Sequence, residues 1–132
     1  MHLAAAAFAL AALADPWCSE IAKLAEGGRE PIPFQSIRDA DYSPKLLAAG
    51  CFPGGVGYFC QQSLLPPAIT VDSTAKRIAA CLPDAKITVE KPRNGLSEAV
   101  VTGSGLEFAL EESGSASGKV GRILRIQITT DR

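Results

Sequence analysis

The decapeptide CFPGGVGYFC, residues 51–60, reads almost alike in both directions and restricts the chain more than any other stretch. With a turn centred on Gly55-Val56, Cys51 faces Cys60, Phe52 faces Phe59 and Pro53 faces Tyr58. Directly opposed residues at a non-hydrogen-bonded position have Cα atoms about 4.5 Å apart, within reach of a disulfide. Gly54, Gly55 and Gly57 are expected to supply the positive φ angles of a tight hairpin. Pro53 has no N–H to give, so its strand belongs at a sheet edge or a bulge. The expectation is a β-hairpin stapled by Cys51 and Cys60. The alternative is a reactive cysteine beside a glycine-rich loop. It needs a thiol activated by His, Lys, Arg or a helix N-terminus. The one histidine, His2, stands at the start of the chain. Nor does a Lys-Ser/Thr pair or a helix start follow GGVG, as a phosphate loop requires.

The other two cysteines are Cys18 and Cys81. Four cysteines allow three pairings, and a Cys51–Cys60 bond leaves Cys18 for Cys81. Helical periodicity supports this independently. Cys18 shares a face with Ile21 and Ala25, and Cys81 shares one with Thr74 and Ile78. Both are expected to point into the layer between helices and sheet. The bond would close a loop of roughly 60 residues, worth about 3–4 kcal/mol by the loop-entropy account. The spacing contains no C-x-x-C, so a four-cysteine zinc site is poorly supported, and no metal or other cofactor is expected. An even cysteine count in a short chain points to an oxidising compartment.

The N-terminus agrees. Residues 3–14 are wholly apolar and mostly alanine. A membrane span needs about 20 such residues, so the run has the length of a signal-peptide apolar region instead. Ala12-Leu13-Ala14 places small residues where a signal peptidase reads. Only Met1 and His2 precede the run, without the usual Lys or Arg. The expectation is a signal peptide over 1–14, a single small domain over 15–132, and a periplasmic or secreted protein with no membrane insertion after leader removal. The net charge of −1 offers no basic patch for nucleic acid and no attraction to an anionic membrane.

Asp15-Pro16 is set to cap and open a helix, with Trp17, Cys18, Ile21, Leu24 and Ala25 on one face and Gly27-Gly28 as the stop. Phe34 and Ile37 suggest a short strand, and Ser43-Pro44 a short helical turn over KLLAA, closed by Gly50. Gln61–Leu65 continues the second hairpin strand. Asp72 is expected to cap a second helix with Ala75, Ile78, Ala79 and Leu82 on its apolar face, ending at Pro83. The remainder alternates with a period of two: KITVE, AVV, LEFALE and RILRIQITT, with turns at Arg93-Asn94-Gly95 and Gly103-Ser104-Gly105. Ile123 beside Leu124 breaks the alternation and suggests a bulge, or a strand covered on both faces. Short turns join antiparallel neighbours. The fold class is therefore α+β: two layers, an antiparallel sheet with two main helices packed on one face, stapled by disulfides.

Candidate functional residues are few. Glu107 and Glu111 share a strand face but lie about 13 Å apart, beyond the separation of paired glycosidase carboxylates. Phe52, Tyr58 and Phe59 on an edge hairpin, with Arg122 and Arg125 near the C-terminus, form a candidate interaction surface. No catalytic residue is assigned. The expectation is a small exported, non-catalytic binding or accessory module of the cell envelope, with a protein partner. One alternative is a thiol–disulfide redox protein cycling Cys51 and Cys60. Another rests on fold analogy alone: the order helix, strands, helix, strands resembles that of type III secretion chaperones, which implies little about function.

Overall fold

A computed structural model describes residues 15–93 and 96–131, and the side chains of residues 15–90 and 96–131. The expected leader over 1–14 and the turn at Asn94-Gly95 lie outside the described residues. Helix α1 spans Pro16–Gly28, with Asp15 as N-cap accepting from the Trp17 N–H at 3.0 Å. It buries Trp17, Ile21, Leu24 and Ala25. Helix α2 spans Gln35–Asp39 and replaces the strand expected around Phe34 and Ile37. Phe34 caps it in the left-handed region, φ 64°, with its ring fully buried. Alternation over so short a stretch did not reveal that the chain must turn there to bury one aromatic ring. The KLLAA segment forms bends and a turn, not a helix, and still buries Leu46 and Leu47. Helix α3 spans Val71–Ala79. Its cap is Thr70, in a reciprocal capping box with Ser73, and not Asp72. Asp72 lies within the first turn, where it pairs with Lys76 at 2.9 Å. The helix stops at Ala79, before Pro83 is reached.

Six strands form one antiparallel sheet: β1 (Cys51–Gly54), β2 (Gly57–Gln62), β3 (Lys86–Arg93), β4 (Leu96–Gly103), β5 (Leu106–Gly114) and β6 (Arg122–Thr130), in the order β1-β2-β6-β5-β4-β3. The hairpin has the expected register, Cys51↔Cys60, Phe52↔Phe59 and Pro53↔Tyr58, and β1 is an edge strand as Pro53 requires. The glycines divide their work differently from expectation. Of the three, Gly55 takes a positive φ, 59°; Gly57 is required because a Cβ there would overlap the Ile128 carbonyl of β6. Ser104 and Gly105 both take positive φ in the two-residue β4–β5 turn. The pairing of β5 with β6 runs unbroken past Ile123, so no bulge lies there, and Ile123 is half-buried on the face away from the helices. The irregularity falls instead between Glu90 and Arg93 of β3.

The helices cover one face. Tyr58, Cys60, Val101, Phe108, Leu110, Leu124, Ile126 and Ile128 point into that layer and meet Leu24, Ala75 and Ile78 in a single buried cluster. Cys18–Cys81 joins the first turn of α1 to the segment after α3, with Cα atoms 4.9 Å apart. Both cysteines are half-buried at the helix margin rather than deep between the layers. Arg77 tightens the same junction: it donates to both Asp15 oxygens at 2.9 and 3.0 Å and lies 4.0 Å over the Trp17 ring. The Arg77 hydrogen bonds hold the Asp15 carboxyl below its ordinary value. Cys51–Cys60 closes the hairpin with Cα atoms 4.1 Å apart, as a close non-hydrogen-bonded pair should.

Two outcomes follow. Gly57→Ala should destabilise by at least about 2 kcal/mol through backbone collision, whereas Gly55→Ala, with open space around it, should cost about 1 kcal/mol for the positive φ; urea unfolding of the oxidised proteins distinguishes them. Because the folded pKa of Asp15 is depressed, its stabilisation is present above the unfolded value of 3.8 and lost as pH falls through the lower folded value. Arg77→Ala should therefore remove part of the acid-side loss of stability, read as a shallower dependence of the urea midpoint on pH below about 4.

Candidate functional site

Among the described residues no helix covers the face of the sheet opposite α1 and α3, and the register decides what that face displays. One row across the strands reads Glu90 (β3), Glu98 (β4), Glu111 (β5), Arg125 (β6) and Gln61 (β2). The next reads Thr88, Val100, Ala109, Gln127, Phe59 and Phe52. Alternation along each strand puts these residues outward, because their neighbours fill the core.

Arg125 is the centre of this surface. Its Nε donates to Gln61 Oε1 at 3.1 Å, and its Nη1 to Glu111 Oε1 at 3.4 Å and to Ser113 Oγ at 3.3 Å. The guanidinium is held by neighbours on both sides while part of it faces solvent. A cleft of about 300 Å³ opens between Phe59, Glu98, Val100, Ala109, Arg125 and Gln127. The small side chain of Ala109 leaves that space. A second cleft of about 420 Å³ lies on the far side of Phe59, against Phe52, Ala48 and Gln62. Phe59 is thus a ridge between two hollows, and Phe52 stands beside it, 56 % exposed.

Three of the five residues expected at an interaction surface are gathered here: Phe52, Phe59 and Arg125. Two are not. Tyr58 points to the helix side and is fully buried, its ring edge-on to Phe34 at 5.7 Å; burial raises its phenol pKa. Successive strand residues face opposite ways, so Tyr58 and Phe59 cannot share a surface. Arg122 also lies on the helix side, where it pairs with Glu112 at 2.8 Å and donates to the Ile69 and Pro66 carbonyls. It fastens the loop before α3 to the sheet, and Glu112 raises its pKa further. Cys51 and Cys60 are fully buried in the core beneath the hairpin. Cys18 and Cys81 lie near Asp15, but both sulfurs are used in their disulfide.

Glu98, Val100, Ala109 and Gln127 complete the surface and were not singled out from sequence. Alternation in LEFALE and RILRIQITT places Ala109 and Gln127 outward, but it does not reach Glu98, and nothing local shows that β6 inserts between β2 and β5 and brings Arg125 beside Gln61. Comparison with known proteins finds no match: no family model, no curated protein and no solved structure matches the chain. The analogy to secretion chaperones therefore gains no support.

If Phe52 serves contact rather than folding, Phe52→Ser should change stability by no more than about 0.5 kcal/mol. Tyr58→Ala should cost about 3–5 kcal/mol. Chemical denaturation of the two variants side by side checks the division of faces.

Proposed function

We propose that the protein is a small exported, non-catalytic binding module whose open sheet face docks a protein partner. The observation that carries this is the convergence of Phe52, Phe59 and Arg125 beside two clefts on a face that no helix of the described residues covers. Exposed aromatics and an oriented arginine are the residue types that dominate protein contacts. The aromatic ridge suits apolar side chains of the partner, and Glu98 and Glu111 suit a basic group beside them.

The two disulfides fit an oxidising compartment, periplasmic or extracellular. Among the described residues no helix is long and apolar enough to cross a membrane. The complete burial of Cys51 and Cys60 favours a structural bond over a redox-active one, since exchange requires access for an attacking thiolate.

Two measurements test the proposal. The Cys51–Cys60 couple should titrate below about −300 mV in redox buffers; a much higher potential would restore the thiol–disulfide alternative. Proximity labelling in the exporting cell should identify a partner that is lost on Phe52→Ser with Arg125→Glu and kept on Lys45→Glu, a change on the helix side. Equal loss or equal retention in both variants would place the contact elsewhere.

A further inference from the structure

The sheet has two edges, and they are unlike. At one, β1 is four residues long, contains Pro53 and is tied down by its disulfide, features that discourage further pairing. At the other, β3 runs Lys86–Arg93; Pro92 and the register irregularity lie at its far end, and the regular stretch Lys86 through Glu90 is exposed throughout. Ile87 and Val89 lie on the helix side, opposite the buried Val101 and Ala99, yet remain 40 % and 64 % exposed. The core stops short of them.

We propose that β3 is a self-pairing edge, through which two copies of this chain join antiparallel about a two-fold axis at Thr88. The stretch KITVE is self-complementary in that register. Thr88 meets Thr88 of the partner copy. Ile87 and Val89 each meet the other's apolar counterpart on the helix side. On the open side, Lys86 of each copy meets the partner's Glu90. Lysine on an edge strand ordinarily discourages pairing; here the two-fold turns it into an attraction, made twice.

A second observation points to the same occupant. Within one copy Glu90 lies opposite Glu98, and Glu98 opposite Glu111, three like charges in a row. Directly opposed like charges destabilise a sheet. Arg125 neutralises the row at the β6 end. The described ion pairs include none with Glu90, Glu98 or Lys86. In the dimer the partner's Lys86 supplies a cation at the β3 end. The axis runs normal to the sheet, so the helices of both copies share one side and both open faces share the other. Two six-stranded sheets become one continuous sheet.

Sedimentation equilibrium of the purified, oxidised protein tests this by charge exchange. The unaltered protein should show a concentration-dependent monomer–dimer equilibrium. Lys86→Glu sets acid against acid and Glu90→Lys sets base against base, so each alone should weaken the dimer at least about tenfold. An equimolar mixture of the two variants restores both pairs and should dimerise as the unaltered protein does. Both positions are exposed, and far-UV circular dichroism checks that each variant folds. The proposal is overturned if the unaltered protein is monomeric up to about 1 mM. It is equally overturned if the single variants dimerise undiminished, or if their mixture stays monomeric.

Discussion

The Cys51–Cys60 bond fixes which residues of the hairpin face each other. Side chains on a strand alternate, so a slip of one residue would turn Tyr58 to water and Phe59 to the core. The staple forbids that slip by joining two directly opposed residues. Gly57 then lets the hairpin approach the Ile128 carbonyl of β6 closely, which aligns β2 with the last strand. Arg38 reinforces the tip by donating to the carbonyls of Gly55 and Gly57 at 3.2 Å. The pairing of Phe52 with Phe59 on the open face is thus a consequence of one covalent register.

The helix layer depends on a second junction. Cys18–Cys81, the Arg77–Asp15 bonds and the Arg77–Trp17 stack all join α1 to α3 at one margin. A loop as long as the one between Cys18 and Cys81 gives the bond about 4 kcal/mol of entropic leverage. With α1 and α3 held together, Leu24, Ala75 and Ile78 close over the sheet from one side only. The other side keeps its charges in water, and the outermost strand keeps two apolar residues, Ile87 and Val89, exposed. The coverage of one face and the exposure of the other have the same cause.

Much of this was legible in the residues. The palindrome located the hairpin, its register and the edge position of Pro53. Helical spacing paired Cys18 with Cys81 and chose the buried faces of α1 and α3. Where the structure departs from the local pattern, the reasons are physical. The stretch around Phe34 alternates like a strand, and alternation in so short a stretch cannot show a left-handed turn that seats one ring against Tyr58. Thr70 and Asp72 are both good caps by residue type, and the backbone geometry that admits Ser73 to a reciprocal bond with Thr70 is local three-dimensional detail. Arg122 and Arg125 looked equivalent by composition. Their spacing of three residues puts them on opposite faces of β6, so one became a brace under the core and the other the centre of the open surface.

The amino-acid sequence by itself pointed to the α+β class, to both disulfide pairs and to the inward or outward sense of the alternating residues in β3, β5 and β6. Those properties rest on short-range periodicity and on covalent reach, which neighbouring residues express directly. The tertiary structure alone decided the strand order. Only when β6 returns from the end of the chain to lie between β2 and β5 do Gln61, Arg125, Glu111, Glu98 and Glu90 form one row. That insertion is a contest among alternative long-range pairings, settled by how the whole apolar face is best buried, and no local stretch of sequence records its outcome.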